Sequence, residues 1–127
     1  MVDKEVLADN QKVPTGNYEM VCSRVENRKS VGRKDKTKVY DFKDYYFEII
    51  IPGKPSSELK LGFFREVKAG SELVKFLAKL GVTANVGESL DLDAALGKKI
   101  KADVVNNTNE FGKTFSEISV NSIVLIS

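Results

Sequence analysis

Histidine is absent from this 127-residue chain, and cysteine occurs once. Without histidine, the chain lacks the commonest general base and the commonest metal ligand, and Ser-His and Cys-His catalytic arrangements are excluded. A single cysteine excludes an internal disulfide and zinc sites built on paired cysteines. Because Cys22 lies in an apolar strand pattern, we expect it to fill the core. The sequence therefore predicts a protein that is not an enzyme and has no cofactor or metal.

Long apolar runs are also lacking. The sequence has no stretch of eighteen apolar residues, the length needed to cross a bilayer. The first residues, MVDKEVLADNQKVP, also lack the apolar segment of a signal peptide. The glycines fall singly at the ends of predicted segments, so no phosphate-binding glycine loop is present. We expect a cytoplasmic protein, with a polar leader over residues 1–15 and a single domain over residues 16–127.

Positive charge is concentrated in residues 24–43, RVENRKSVGRKDKTKVYDFK. This segment has eight cations and three anions, a net charge of +5, whereas the whole chain carries +2. It leads into a run of five aromatic residues: Tyr40, Phe42, Tyr45, Tyr46 and Phe47. Cations that neutralise phosphates, next to rings that stack on bases, are the components of general single-stranded nucleic-acid sites. Taken alone, the charge run is as typical of a solvated hairpin loop.

The order of elements indicates the fold. Alternating and helical periodicities predict three strands, one short helix capped by Ser71 and ended by Gly81, and two further strands. The predicted strands cover residues 16–26, 39–51, 58–67, 98–107 and 114–127, and the basic segment forms the loop after the first. We therefore predict an all-β fold, a five-stranded antiparallel Greek-key barrel of the OB type with one α-helix between strands 3 and 4.

In OB barrels the ligand crosses the face of the second and third strands, between the loops that follow the first and fourth. If Phe47 faces the core, strand alternation turns Tyr46 outward, and on the third strand Phe64 is outward when Phe63 is inward. These two rings are the preferred stacking candidates, with partial burial under a loop as the alternative. The full set of predicted nucleic-acid-binding residues is Arg28, Lys29, Arg33, Lys34, Lys36, Lys38, Tyr40, Phe42, Tyr46, Lys60, Phe64, Phe111 and Lys113.

Several short segments carry a family resemblance. They are a G-x-Y start at Gly16, a basic loop, an FEI strand at residues 47–49, an S-E-L-x-x-F-L helix at residues 71–77, and the segments LGKKIKADV (96–104) and GKTFSEI (112–118). With these segments the chain resembles the small OB-fold single-stranded DNA-binding proteins of bacteriophages and prophages. The resemblance implies a protein that coats DNA exposed during phage replication or recombination, in the cytoplasm of a bacterial host cell.

Other functions remain open at this point. OB barrels also bind proteins, so an interaction module or an accessory subunit of a replication or recombination complex is the main alternative. A nuclease-like activity would need a carboxylate cluster, and Asp41, Asp44 and Glu48 are the acids nearest the predicted groove. RNA is not excluded as a ligand. A homodimer is possible, because the apolar end at residues 122–127 could pair with a neighbour's sheet edge or complete its own barrel.

Overall fold

A computed structural model describes residues 13–32 and 34–126 of the chain. The described chain consists mainly of antiparallel β-strands, with one α-helix after the third. Their bounds are β1 (Gly16–Val31), β2 (Val39–Ile49), β3 (Ser57–Phe64), α1 (Glu72–Lys79), β4 (Lys99–Thr108), β5 (Thr114–Ile118) and β6 (Val124–Leu125). The predicted all-β class is confirmed, but the described residues form six strands and not five.

The strands form one sheet in the order β3-β2-β1-β4-β5, and β6 pairs with β4. All pairings are antiparallel. The sheet curls, because β3 and β5 stand at opposite ends of this order and yet approach each other. No backbone pairing joins these two strands within the described residues, so the sheet is strongly curved without a ladder that closes it.

The sixth strand arises where one continuous last strand was predicted. After β5, Ser119 donates its backbone N–H to the carbonyl of Asp103, and the hydroxyl of Ser122 accepts the N–H of Asp103 at 2.7 Å. These bonds hold a single 3-10 turn at Val120–Ser122. The chain then resumes pairing as β6, opposite Ile100 and Lys101 of its own β4. The apolar end therefore adds to this chain's own sheet.

The core lies inside the curve of the sheet, under α1. The helix begins at Ser71, whose hydroxyl accepts the N–H of Val74, and Gly81 follows its end with a φ of +77°. Its buried residues Leu73, Phe76 and Leu77 fit the predicted helical spacing. Phe76 packs against the rings of Tyr45, Phe47 and Phe63 from β2 and β3. Cys22 is buried in the same core, as predicted.

The basic segment is the largest departure from the predicted elements. Residues 27–31 were predicted to lie in a loop, but they extend β1 and pair with β2 as far as Val31 opposite Val39. The register shifts once, between Cys22 and Arg24. Residues 24–31 pair along their length with β2, and five of their eight partners are aromatic or β-branched residues that favour strands. The strand therefore continues through the charged region. The true loop is limited to the tip between Val31 and Val39.

The residues just before Gly16 also pack against the sheet. Val13 is fully buried, its N–H donates to the Ser116 hydroxyl at 2.8 Å, and the Pro14 carbonyl accepts the Tyr18 hydroxyl at 2.7 Å. Residues 1–12 of the predicted leader lie outside the described residues. In the part of the chain that the structure covers, no helix is both long enough and apolar enough to cross a membrane.

Candidate nucleic-acid interface

Three aromatic rings lie together on the outer face of β2 and β3. Phe42 is directly opposite Phe64 in the register, and their ring centroids are 4.7 Å apart. Tyr40 meets the edge of Phe64 at 5.9 Å. Phe64 is 56% exposed and Tyr40 is 41% exposed. Strand alternation therefore places these rings on the predicted face, and Phe64 offers the most open ring surface.

Next to the rings is a shallow depression of about 420 Å³, lined by Tyr40, Phe64 and the residues that flank them. Another depression, of about 390 Å³, lies between α1 and the segment that follows it, and is lined by none of these rings. Base stacking needs an accessible ring plane. The depression beside Phe64 is therefore the one relevant to a nucleic-acid ligand.

Two arginines of β1 cover rings of β2. The guanidinium carbon of Arg28 is 4.3 Å from the centroid of Phe42, and that of Arg24 is 3.8 Å from the centroid of Tyr46. Each arginine is also the direct cross-strand partner of the ring that it covers. These distances are those of cation–π contacts. One face of Phe42 and one face of Tyr46 are thus occupied by the protein itself.

Carboxylates fix both guanidinium groups. Nε of Arg28 donates to Oδ2 of Asp44 at 2.7 Å, and Nη2 donates to Oδ1 at 3.3 Å. Arg24 donates to Glu26 at 2.7 Å and to Glu58 at 2.8 Å. Hydrogen bonds to these carboxylates raise the pKa of both guanidinium groups above the ordinary value. The two arginines are therefore charged, oriented and already compensated by acids.

Gly62 makes room for the Arg28–Asp44 pair. It lies opposite Asp44 in the register, and a Cβ at this glycine would be 2.7 Å from Oδ1 of Asp44 and 3.4 Å from Nη2 of Arg28. The side chain of Asp44 is only 1% exposed although it points to the outer face. The missing side chain at residue 62 thus allows a carboxylate to lie flat against the sheet and hold the guanidinium.

Residues 34–38 of the first hairpin form a hydrogen-bonded, lysine-rich turn. Oδ1 of Asp35 accepts the backbone N–H and the hydroxyl of Thr37, and these bonds lower the pKa of Asp35. Gly32 lies so close to Tyr40 that a Cβ would be 3.0 Å from its ring. The tip therefore packs next to the aromatic rings, and it carries Lys34, Lys36 and Lys38, all exposed.

The second hairpin presents a separate aromatic residue. Oδ1 of Asn109 accepts the N–H groups of Phe111 and Lys113 at 3.0 and 2.9 Å, and Gly112 has a φ of +79°. This tight turn leaves Phe111 86% exposed. The ring does not pack against any other aromatic residue of the described chain. The turn was predicted correctly, and it keeps Phe111 apart from the outer-face rings.

The structure brings only part of the predicted set together. Arg28 contacts Phe42, Phe42 contacts Phe64, and Phe64 contacts Tyr40, while Tyr46 and Lys60 pair with each other four residues further along the strands. Lys29 lies opposite Asp41, on the other face of the hairpin from Arg28. Lys34, Lys36 and Lys38 are at the first tip, Phe111 and Lys113 are at the second, and Arg33 lies outside the described residues.

The acids considered for metal chemistry do not converge. Asp44 is paired with Arg28, and Asp41 lies on the opposite face of β2 from Asp44 and Glu48. No group of three histidine, cysteine or acidic side chains suited to a metal ion occurs within residues 13–32 and 34–126. Asp93, on the segment that follows α1, forms an ion pair at 2.7 Å with the buried ammonium of Lys43.

Three residues of this face were not predicted as site residues: Arg24, Asp44 and Gly62. The sequence contains a signal for Arg24. Arg24 and Arg28 are four residues apart, as are Phe42 and Tyr46 on the adjacent strand, so an antiparallel register that aligns one arginine with a ring aligns the other. The role of Gly62 depends on the register between β2 and β3, which a single sequence does not specify.

Comparison with known proteins gives no match: no protein-family model, no curated protein and no solved structure is detectably similar to this chain.

Proposed function

We propose that this protein binds single-stranded DNA with little sequence preference and without catalysis, through an OB-type barrel. The observation that carries the proposal is the exposed ring of Phe64, grouped with Tyr40 beside the lysine-rich tip. Exposed rings next to cations are the elements of a sequence-tolerant single-strand site. The curvature that brings β3 towards β5 supports an OB-type arrangement, in which the β2–β3 face binds the ligand.

The biological setting follows from the resemblance in sequence. The segments that resemble those of phage and prophage single-stranded DNA-binding proteins lead us to propose a role in phage DNA replication or recombination, in the cytoplasm of a bacterial host. Such a role needs affinity for any exposed single strand and no base-specific contact. The outer face fits this requirement, because its rings offer planes and its tip offers charge.

The lysines, and not the arginines, would supply the contacts to phosphate. Lys34, Lys36, Lys38, Lys60 and Lys113 form no ion pair with a described residue, whereas Arg24 and Arg28 are held by carboxylates. If three to five lysines each neutralise one phosphate, log affinity should fall with log salt at a slope of about −2 to −3.5. Affinity should therefore drop measurably over an ordinary salt series.

The test is a fluorescence-anisotropy titration with three labelled ligands of equal length: oligo-dT, a duplex, and an abasic phosphodiester strand. The proposal expects oligo-dT to bind most tightly, because only this ligand offers both unpaired bases and phosphates. The abasic strand should bind more weakly, by about 1–3 kcal/mol for each stacked base. Equal binding of all three ligands would mean simple polyanion binding. In a fourth titration, with labelled oligo-rU of the same length, tighter binding than oligo-dT would make RNA the ligand.

The lysine contribution is tested separately with charge-matched variants. Lys36→Gln with Lys38→Gln should reduce the magnitude of the salt slope by about 1.4, since each lost phosphate contact removes about 0.7. Lys54→Gln with Lys75→Gln, in the β2–β3 turn and on α1, removes the same charge elsewhere and should leave the slope unchanged. Equal effects of the two pairs would show that the tip is not the phosphate-binding site.

A protein-interaction module is the second candidate, and the charges of the outer face favour it. Across β1, β2 and β3, the cations Arg24, Arg28 and Lys60 share this face with the acids Glu26, Asp44, Glu48 and Glu58. A face with balanced charges and exposed rings is also suited to a protein partner. No binding of any oligonucleotide at low salt would favour this second function.

A further inference from the structure

We propose that the guanidinium groups of Arg28 and Arg24 are themselves the surfaces on which two nucleobases stack. This inference rests on the proposed function and specifies how the face would bind the strand. Phe42 and Tyr46 would then act as supports beneath the guanidinium groups and would not contact the bases at their covered faces.

The guanidinium group of Arg28 is held in one orientation by its neighbours. Its guanidinium lies 4.3 Å from the centroid of Phe42, and two of its nitrogens donate to the carboxylate of Asp44. Because Asp44 is buried and Gly62 leaves space above it, the carboxylate constrains the guanidinium from one edge. The side chain of Arg28 nevertheless remains 40% exposed. The guanidinium therefore lies over Phe42, one edge contacts Asp44, and the exposed part of the side chain is available to a ligand.

Arg24 repeats this arrangement four residues earlier on β1. Its guanidinium lies 3.8 Å from the centroid of Tyr46, Glu26 and Glu58 hold two of its nitrogens, and 47% of its side chain is exposed. The same combination of ring, carboxylate and exposed guanidinium thus occurs twice on one face. At about 3.3 Å per residue, the guanidinium groups of Arg24 and Arg28 are roughly 13 Å apart along the strand.

This arrangement suits stacking better than phosphate binding. Bases of single strands stack on guanidinium planes as well as on aromatic rings. The carboxylates compensate the charge of both arginines, so a phosphate would have to compete with an existing ion pair. Neighbouring stacked bases are only about 3.4 Å apart. Two guanidinium groups roughly 13 Å apart would therefore stack on bases that are not neighbours in sequence. The nucleic-acid strand between those bases would be extended along the sheet.

The test exchanges arginine for lysine, which keeps the charge and removes the plane. Arg28→Lys and Arg24→Lys should each weaken oligo-dT binding by about tenfold, leave the salt slope unchanged, and leave binding of the abasic strand unchanged. Lys54→Arg is the matched control, because it makes the reverse exchange at an exposed residue of the β2–β3 turn, away from the aromatic rings. This control should bind oligo-dT like the wild type.

The possible failures are distinguishable. If wild-type protein does not bind oligo-dT, both the proposed function and this inference are wrong. If the wild type binds and both lysine variants bind equally well, the inference alone is wrong. A salt slope reduced by about 0.7 in Arg24→Gln would make that arginine a phosphate contact and would also overturn the inference. Arg24→Lys keeps the test valid even if Arg28→Lys unfolds, since both partners of Arg24 are solvent-exposed.

Discussion

Replacing Gly62 by alanine should destabilise the protein, although glycine-to-alanine changes in strands usually have the opposite effect. An alanine in a strand interior normally gains about 0.5–1 kcal/mol relative to glycine. Here the new Cβ would be 2.7 Å from a carboxylate oxygen of Asp44, which is buried and bonded to Arg28. Either the strand or the ion pair has to move, and overpacking of this kind costs about 1–3 kcal/mol.

Urea unfolding of the wild type and of Gly62→Ala measures this effect. Gly16→Ala is the matched control, because its Cβ would lie 3.5 Å from the ring of Tyr18, an ordinary contact. The control should be as stable as the wild type or slightly more stable. A further variant, Gly62→Ala with Asp44→Ala, removes the clashing carboxylate.

If the clash is the cause, the double variant should be more stable than the sum of the two single effects predicts, by about 1 kcal/mol or more. If Gly62→Ala and Gly16→Ala have the same free energy of unfolding, the reasoning is refuted. The carboxylate of Asp44 would then not need the space above residue 62. Additive effects in the double variant would mean that Asp44 is not the group with which the new Cβ collides.

Two further predictions concern the core. Burial raises the pKa of the Cys22 thiol to about 11 from an ordinary 9.0, so its stabilising contribution is complete below pH 9 and is lost as the pH rises towards 11. Raising the pH from 9 to 11 should lower the unfolding free energy of the wild type by up to about 3 kcal/mol more than that of Cys22→Ala, which has no thiol to ionise. Thiolate absorbance that appears near pH 9 in the folded protein would contradict the raised pKa. Asp93→Ala should destabilise by about 2 kcal/mol more than Lys43→Met in urea unfolding, because the first leaves a buried ammonium without its carboxylate and the second leaves a carboxylate that is 70% exposed. Equal losses would mean that the ammonium is solvated.

The outer face shows how far the sequence alone could go. Alternation was enough to place Phe64 and Tyr40 outside and Phe47 inside, because a strand with one buried face allows only one orientation. The helix after β3 was equally predictable, since its N-cap and the spacing of its apolar residues are local features of the sequence. These predictions depended on residues close together in the chain.

The remaining features depend on contacts between distant residues. Charge density suggested that the loop begins after residue 26, yet residues 27–31 also pair with β2. The pattern of cations and aromatic residues did not reveal that pairing. The compensation of Arg28 by Asp44 also depends on the register, as does the space above Gly62. Pairing across strands determines which cations of the basic segment are compensated by acids. The composition of the segment could not predict this.

The central claim is that the exposed ring of Phe64 binds bases of a single strand. The most direct measurement compares the oligo-dT affinity of Phe64→Ala with that of Phe115→Ala, a 37% exposed ring on β5. The account predicts a loss of about tenfold for Phe64→Ala, from one lost stacking contact, and wild-type affinity for Phe115→Ala. Equal affinities of the two variants would contradict the account, because the outer face of β2 and β3 would then not be where the strand binds.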